Sequence, residues 1–296
     1  MTELPWYILG AGSIGSLFAC RFQQADLCIK LLLPQASTTD RTLTENGSSN
    51  RLYFNVSAYS DQTPIQQLLL TTKAHQSLSA IKPIQHRLTK DTVIVVMQNG
   101  MGVIEQLQPL LPQCTFLAAT TTEGVNRTSP QHIIYAGRGE TWLGALDKTS
   151  QQTAFSIYEQ WSNSSLILHH DTRIIERLWL KLAINCAINP LTVIYDCRNG
   201  ALLENNEALD TMKAVCDEVC AVMMHYSVEP PADLFNTAKQ IAKKTGQNIS
   251  SMLQDTRNKK PTEIDFINGY IVRKASQPNI PTPINAQLLN TITTLT

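Results

Sequence analysis

Short unbroken apolar runs alternate with helix-period segments through the first half of the chain. Residues 6–9, 28–33, 68–72, 93–97 and 115–119 read as strands, because apolar runs without polar alternation suit strands covered on both faces. Behind the first of them, an apolar-periodic stretch through Leu17 and Phe18 to Phe22 reads as a helix. Strands alternating with helices predict an α/β fold built on a doubly wound parallel sheet.

From about residue 171 the character changes: helical periods dominate and clear strand runs vanish. This predicts a second, all-α domain, with residues 1–170 forming the first and residues 171–296 the second. Asp171 suits the N-cap of a helix over 172–188. Asn189-Pro190 should end or kink it, since proline lacks the N–H donor and disfavours a helical residue before it. Further helices are expected over 204–226, 232–245 and 263–275. Three prolines within 277–283 then lead to a short terminal helix. His169 and His170, at the domain boundary, read as linker histidines in solvent.

Composition narrows the function classes. The 296 residues allow about two domains of ordinary size. Lys+Arg and Asp+Glu both total 24, and charged residues make up only 16%. No bulk charge is available to hold nucleic acid or an anionic membrane. The longest apolar stretches, 6–20 and 183–195, are interrupted by Gly, Ser, Asn or Pro and fall short of the roughly 18 to 20 apolar residues of a spanning helix. The opening Met-Thr-Glu-Leu-Pro lacks the basic start of a secretory signal, so a cytoplasmic protein is expected. Seven scattered cysteines without a Cys-x-x-Cys pair suggest neither a disulfide framework nor a zinc site. Cys216, Cys220 and His225 read as ordinary packing, and no metal is expected.

The most specific local signal is Gly10-Ala11-Gly12-Ser13-Ile14-Gly15, placed between a strand and a helix. Gly10 permits a tight turn, Gly12 lets the backbone approach a pyrophosphate, and Gly15 lets the helix sit close on the strand. That context favours a dinucleotide site over a merely structural turn. About 20 residues on, an acid would bind ribose hydroxyls and an arginine a 2′-phosphate. Lys30-Leu31-Leu32-Leu33-Pro34-Gln35 holds neither. The missing acid argues against strict use of NAD, and positive charge would have to come from Lys30 or Arg41. Lys73 and Gln98-Asn99-Gly100 end the third and fourth strand candidates, where ligands of open parallel sheets bind.

In the second half, Lys181, Asn185 and Asn189 stand four apart in the otherwise apolar helical segment 178–189. They form one polar stripe, with its ends about 12 Å apart. One lysine with two asparagines suits a ligand site better than a solvated face, which would carry more charge. Thr262 suits the N-cap of the helix over 263–275, with Glu263 in its first turn; a glutamate there is commonly just a partner of the helix dipole.

Taken together, these segments resemble the ketopantoate reductase family. The resemblance rests on the glycine motif, Lys73-Ala74-His75-Gln76 and Gln98-Asn99-Gly100-Met101-Gly102. It rests further on Leu178-Trp179-Leu180-Lys181-Leu182 with Asn185 and Asn189-Pro190-Leu191-Thr192, and on Ser250-Ser251-Met252-Leu253-Gln254-Asp255 with Thr262-Glu263-Ile264-Asp265. It implies a Rossmann-like first domain, a helical second domain with substrate in the cleft between them, and NADPH-dependent reduction of ketopantoate to pantoate on the route to pantothenate. Lys181 would be the general acid, and Glu263 would hold substrate and organise the site. Asn99, Asn185, Asn189, Asn248 and Ser251 would contact substrate, position Lys181 or touch the nicotinamide side. The glycine motif would hold the cofactor, with Lys73, Gln76 and Asn99 near it. The chain departs from the family pattern at Leu32, which stands where an arginine meets the 2′-phosphate. Partial substitution by Lys30 or Arg41 would leave a weaker preference for NADPH.

The implied partner is a small-molecule 2-oxo acid, and the protein would be a monomer or homodimer. Two other readings stay open: a reductase of another 2-oxo acid, and a non-catalytic dinucleotide-binding sensor or regulatory paralogue.

Overall fold

The computed structural model describes residues 4–35 and 38–295. Its strands are β1 (Trp6–Leu9), β2 (Ile29–Leu33), β3 (Thr38–Glu45), β4 (Ser48–Ala58), β5 (Ile65–Leu70), β6 (Leu88–Val96), β7 (Thr115–Thr121), β8 (Gly124–Arg127), β9 (His132–Gly137), β10 (Thr141–Ala145) and β11 (Leu168–His170). The helices are α1 (Ser13–Gln24), α2 (Ser77–Ile81), α3 (Val103–Leu107), α4 (Gln151–Ser162), α5 (Ile174–Ile194), α6 (Asn206–His225), α7 (Leu234–Lys244), α8 (Ser251–Arg257), α9 (Asn268–Ser276) and α10 (Pro283–Leu295). The chain divides into two compact units. One comprises the chain to Gln98 with Val103–Ile174; the other comprises Asn99–Gly102 with the chain from Ile175 onward. Among the described residues no helix is long and apolar enough to cross a membrane.

In the first unit all eleven strands join one sheet, in the order β11-β10-β7-β6-β5-β1-β2-β4-β3-β9-β8. Strands β7, β6, β5, β1 and β2 run parallel, as the apolar runs predict. β1 lies between β2 and β5, so the order of strands reverses beside it. Open α/β sheets bind ligands beyond the carboxyl ends of the strands at such a reversal. One sheet face is covered by α1 and α4, whose Phe18, Phe22 and Trp161 cluster on Trp6; the Trp6–Trp161 and Phe22–Trp161 ring centroids lie 5.2 and 5.0 Å apart.

The sheet is not parallel throughout. β3 and β4 form an antiparallel hairpin, turned through Asn46 and Gly47 at φ 49° and 79°. β8 with β9 and β10 with β7 are also antiparallel. β3 and β4 are rich in Thr, Ser and Asn, and β4, β8 and β9 carry solvent-facing positions, so β3, β4 and β8 spell no unbroken apolar run. His169 and His170 also differ from expectation, for both belong to β11. His169 stacks on Trp142 with centroids 5.3 Å apart and meets Glu140 at 2.7 Å, while His170 lies against Phe155 and Tyr158.

The second unit is helical. Trp179, Leu182, Ala183, Cys186, Ala187 and Leu191 recur at helical spacing along α5 and are buried in its core with residues of α6, α9 and α10. α5 begins at Ile174, later than the predicted 172, and continues through Pro190 to Ile194. Asp171 instead accepts from the Arg173 N–H at 2.8 Å. The helix expected over 263–275 is split into a single 3-10 turn, Ile264–Phe266, and α9. Glu263, not Thr262, occupies the N-cap position of that turn.

Candidate functional site

The sequence candidates fall into two groups, one in each unit. In the first unit Gly10 follows β1 directly and adopts φ +106°; a Cβ there would stand 2.4 Å from the Thr72 backbone nitrogen. A Cβ on Gly15 would meet the Gly10 carbonyl oxygen at 2.2 Å. The fold therefore requires both glycines. Gly12 is different, since a Cβ on it would meet nothing nearer than the Gly10 oxygen at 3.9 Å. Packing does not require glycine at that position, but close approach by a ligand would. Gly12 is also the N-cap of α1, with no side-chain hydrogen bond to the first-turn N–H groups. Backbone donors at the positive end of a 12-residue helix, beside a residue without Cβ, fit a pyrophosphate. Ala11, Ser13 and Ile14 complete the loop and are half-buried.

Thr71 fastens this loop to the end of β5 by donating from Oγ1 to the Gly10 carbonyl at 2.8 Å. Lys73 lies two residues beyond Thr71, where its carbonyl accepts from the Gln76 N–H at 2.9 Å. Gln76 is exposed. β5, expected over 68–72, ends at Leu70, two residues before the predicted end.

In the second unit the polar stripe lies on α5 as predicted. Lys181 and Asn185 are half-buried and Asn189 is buried. Burial pulls the Lys181 pKa down from its ordinary value to about 8, while the charge of Glu263 acts in the opposite direction. Glu263 is itself only 5% exposed. An ammonium so placed gives up its proton near neutrality far more readily than a solvated lysine.

Hydrogen bonds join the other candidates to this helix. Thr192 Oγ1 donates to the Asn189 carbonyl at 2.7 Å and lies 2.6 Å from Ser250 Oγ. With the threonine proton already committed, Ser250 is the donor between the two hydroxyls. Ser250 also caps α8, accepting from Leu253 N–H at 3.0 Å, and so brings the half-buried Ser251 to α5. Met101 N–H donates to the Phe266 carbonyl at 2.8 Å. Gly100, at φ +82°, lies so close that a Cβ would stand 2.3 Å from the same oxygen. Asn99 therefore belongs with the turn that follows Glu263, although it is three residues past the end of β6. Asn248 is exposed, and its carbonyl accepts from Asn199 N–H at 3.1 Å. Sequence reading named Asn189 and Ser251 but gave no role to Thr192 and Ser250, which connect them; hydroxyls separated by 58 positions leave no periodic signal.

Fold and loop define a dinucleotide-binding protein of the Rossmann-like class, carrying a helical second unit. Comparison with known families makes this specific. Residues 6–148 match the family model described as ketopantoate reductase PanE/ApbA, and residues 173–296 match the one described as ketopantoate reductase PanE/ApbA C terminal. A 2-dehydropantoate 2-reductase of Vibrio cholerae is 35% identical over 97% of this chain and 96% of its own length. Another from Archaeoglobus fulgidus is 31% identical over 96% and 95%. The chain belongs to the ketopantoate reductase family and is an oxidoreductase. Among solved structures, a PanE/ApbA family ketopantoate reductase from Ralstonia eutropha shares the fold at TM-score 0.88 and 24% identity, covering 99% of this chain and 98% of that one. D-mandelate dehydrogenase with NADH and anilino(oxo)acetate shares it at TM-score 0.89 and 23% identity, with the same coverage.

Two outcomes are expected. Gly12→Ala keeps wild-type thermal stability but weakens binding of a nicotinamide dinucleotide by about tenfold or more, whereas Gly10→Ala loses about 2 kcal/mol or more of stability; calorimetry and titration of the two variants distinguish them. Lys181 titrates near 8 in ¹³C-lysine NMR, assigned through Lys181→Arg. Glu263→Gln moves that midpoint lower, because the carboxylate is the charge that raises it; an upward movement contradicts the assignment.

Proposed function

We propose that the protein reduces ketopantoate (2-dehydropantoate) to pantoate with NADPH. The observation that carries this reading is Lys181, the one charged residue between Leu178 and Ile194 of α5, with its pKa brought to about 8. The names borne by the relatives support the substrate. In this reading residues 1–170 hold the dinucleotide and residues 171–296 hold the 2-oxo acid.

The cofactor supplies the hydride that reduces the ketone carbon. Negative charge then develops on the carbonyl oxygen, where the Lys181 ammonium stabilises it and donates a proton. Glu263 keeps that ammonium protonated further up the pH scale than burial alone would allow. Asn185 and Asn189, on the lysine's own helix, offer amides to the substrate's oxygens, and Asn99, Asn248 and Ser251 supply further polar contacts. Gly10, Ala11, Gly12, Ser13, Ile14 and Gly15 form the pyrophosphate cradle, with Lys73 and Gln76 near the cofactor.

For the 2′-phosphate the geometry favours Arg41 over Lys30. Lys30 shares the sheet face of Tyr7, with its Nζ 5.6 Å from that ring and the Arg87 guanidinium 5.2 Å from it. Strand alternation places this face opposite α1, which covers Trp6 and Ile8. Arg41, only 5% exposed, donates from Nε to Ser16 Oγ at 3.2 Å, and Ser16 Oγ donates in turn to the Ala11 carbonyl at 3.2 Å. Its guanidinium thereby adjoins the glycine loop. No carboxylate among the described residues pairs with it, whereas the neighbouring buried Arg21 meets Glu45 at 2.7 Å. Burial and the nearby Arg127 both lower its proton affinity, and an anionic ligand would relieve both.

Two measurements test the reading. Ketopantoate-dependent oxidation of NADPH is expected, declining as pH rises through about 8 and the ammonium is lost. Lys181→Ala should cost about 10²- to 10⁴-fold in turnover and leave dinucleotide affinity intact. Reduction of a different 2-oxo acid alone, or binding without any reduction, would replace this reading with one of the two others. Separately, 2′,5′-ADP should bind more tightly than 5′-AMP, by about tenfold. Arg41→Gln should abolish the difference and Lys30→Gln should leave it; the reverse pattern sinks the role given to Arg41.

A further inference from the structure

Inside an α-helix each carbonyl accepts from the N–H four residues later. For Cys186 that residue is Pro190, which has none. The carbonyl is nevertheless satisfied. Asn268, with 0% exposure, donates from Nδ2 to the Cys186 oxygen at 3.2 Å. A carbonyl can only accept, so the nitrogen of this amide must face it.

The same nitrogen also donates to Asn285 Oδ1 at 2.9 Å, which uses both its hydrogens. Asn285 is fixed in turn, because its Nδ2 donates to Glu218 Oε2 at 2.7 Å. The Glu218 carboxylate further accepts the Ile284 and Asn285 N–H groups at 2.8 and 2.9 Å in the first turn of α10. The Asn268 amide of α9 therefore joins α5, through Cys186, to α10, through Asn285, and Asn285 is tied in turn to α6 through Glu218.

Where this amide sits gives it a consequence beyond stability. Cys186 lies between Asn185 and Asn189 and five residues after Lys181; Asn268 lies five residues after Glu263. We propose that Asn268 is a positioning residue for the reaction, tying the segment that bears Glu263 to the helix that bears Lys181 through the carbonyl that Pro190 leaves without a helical donor. It touches neither substrate nor cofactor and acts by fixing the separation of those two side chains. The inference rests on the proposed function only in giving Lys181 and Glu263 catalytic roles.

Pro190→Ala separates positioning from mere support, because it returns an N–H to the helix. In Asn268→Ala the Cys186 carbonyl is orphaned in the core, and thermal stability falls. In the double variant Asn268→Ala/Pro190→Ala that carbonyl regains a backbone donor and most of the stability returns, but the tie between the segments does not. The Lys181 midpoint, followed by ¹³C-lysine NMR, should therefore stay about half a pH unit or more below wild type in the double variant, since Glu263 acts on it from farther away. Turnover should stay about tenfold low with a smaller change in KM. Pro190→Ala alone, retaining Asn268, should keep both values.

Recovery of midpoint and turnover together with stability in the double variant would show that Asn268 only satisfies a carbonyl, and would overturn the proposal. An unmoved midpoint in that variant would overturn it as well. A lowered Lys181 midpoint without a matching shift in the pH limb of turnover supports the tie and instead removes Lys181 as the acid. If Asn268→Ala fails to fold, the double variant still decides.

Discussion

The second unit is organised around a cation that must be kept partly out of water and still carry a proton. Burial lowers the proton affinity of Lys181, and the Glu263 charge raises it. Desolvation acts over the whole surroundings of the lysine, whereas the effect of one carboxylate falls steeply with distance. The balance near 8 therefore depends on how the turn before α9 is held against α5. Asn268, Ser250 with Thr192, and the Met101–Phe266 bond all hold segments to that helix or to that turn. Apolar packing brings these elements together, but it is non-directional and cannot by itself set such a separation.

Much of this was legible in the sequence, for reasons that explain what was not. The central strands are covered on both faces and spell continuous apolar runs, so β1, β5, β6 and β7 could be read within a few residues. β4, β8 and β9 are partly exposed, β4 interrupts its apolar positions with polar ones, and β3 and β4 pair through a two-residue turn at Asn46-Gly47, a hairpin signal that involves no apolar run. The stripe on α5 was readable because helical periodicity is local. The effect of Pro190 was readable only in part: the missing donor is written in the sequence, but the helix runs on to Ile194 and the replacement donor comes from Asn268, 82 positions away. The helix expected over 263–275 fails for the same kind of reason, since Phe266 gives its carbonyl to Met101 of a distant loop.

Charge follows a similar division. A net charge of zero says nothing about where cations are needed. Three arginines are nevertheless buried in the first unit, and their partners differ. Arg21 has the Glu45 carboxylate. Arg87 places three nitrogens on two carbonyls and Ser57 Oγ, which itself donates to Asp61 at 2.7 Å. Both are complete within the protein. Arg41 bonds to Ser16, Thr39 and a backbone carbonyl, and its Nη2 meets no described acceptor. A buried guanidinium with a donor to spare is costly unless something anionic completes it.

The two units therefore differ in how they provide for charge. The first leaves the start of α1 without a side-chain cap and, among the described residues, Arg41 Nη2 without an acceptor, as a site for a phosphorylated ligand would. The second holds its segments together by polar groups bonded to one another: Asn268 donates to the Cys186 carbonyl and to Asn285, and Asn285 donates to Glu218, bonds made without any ligand. Segments fixed by such bonds before the substrate arrives do not have to reorganise when charge develops on the carbonyl oxygen, and preorganisation of that kind is what makes an ammonium effective in stabilising it.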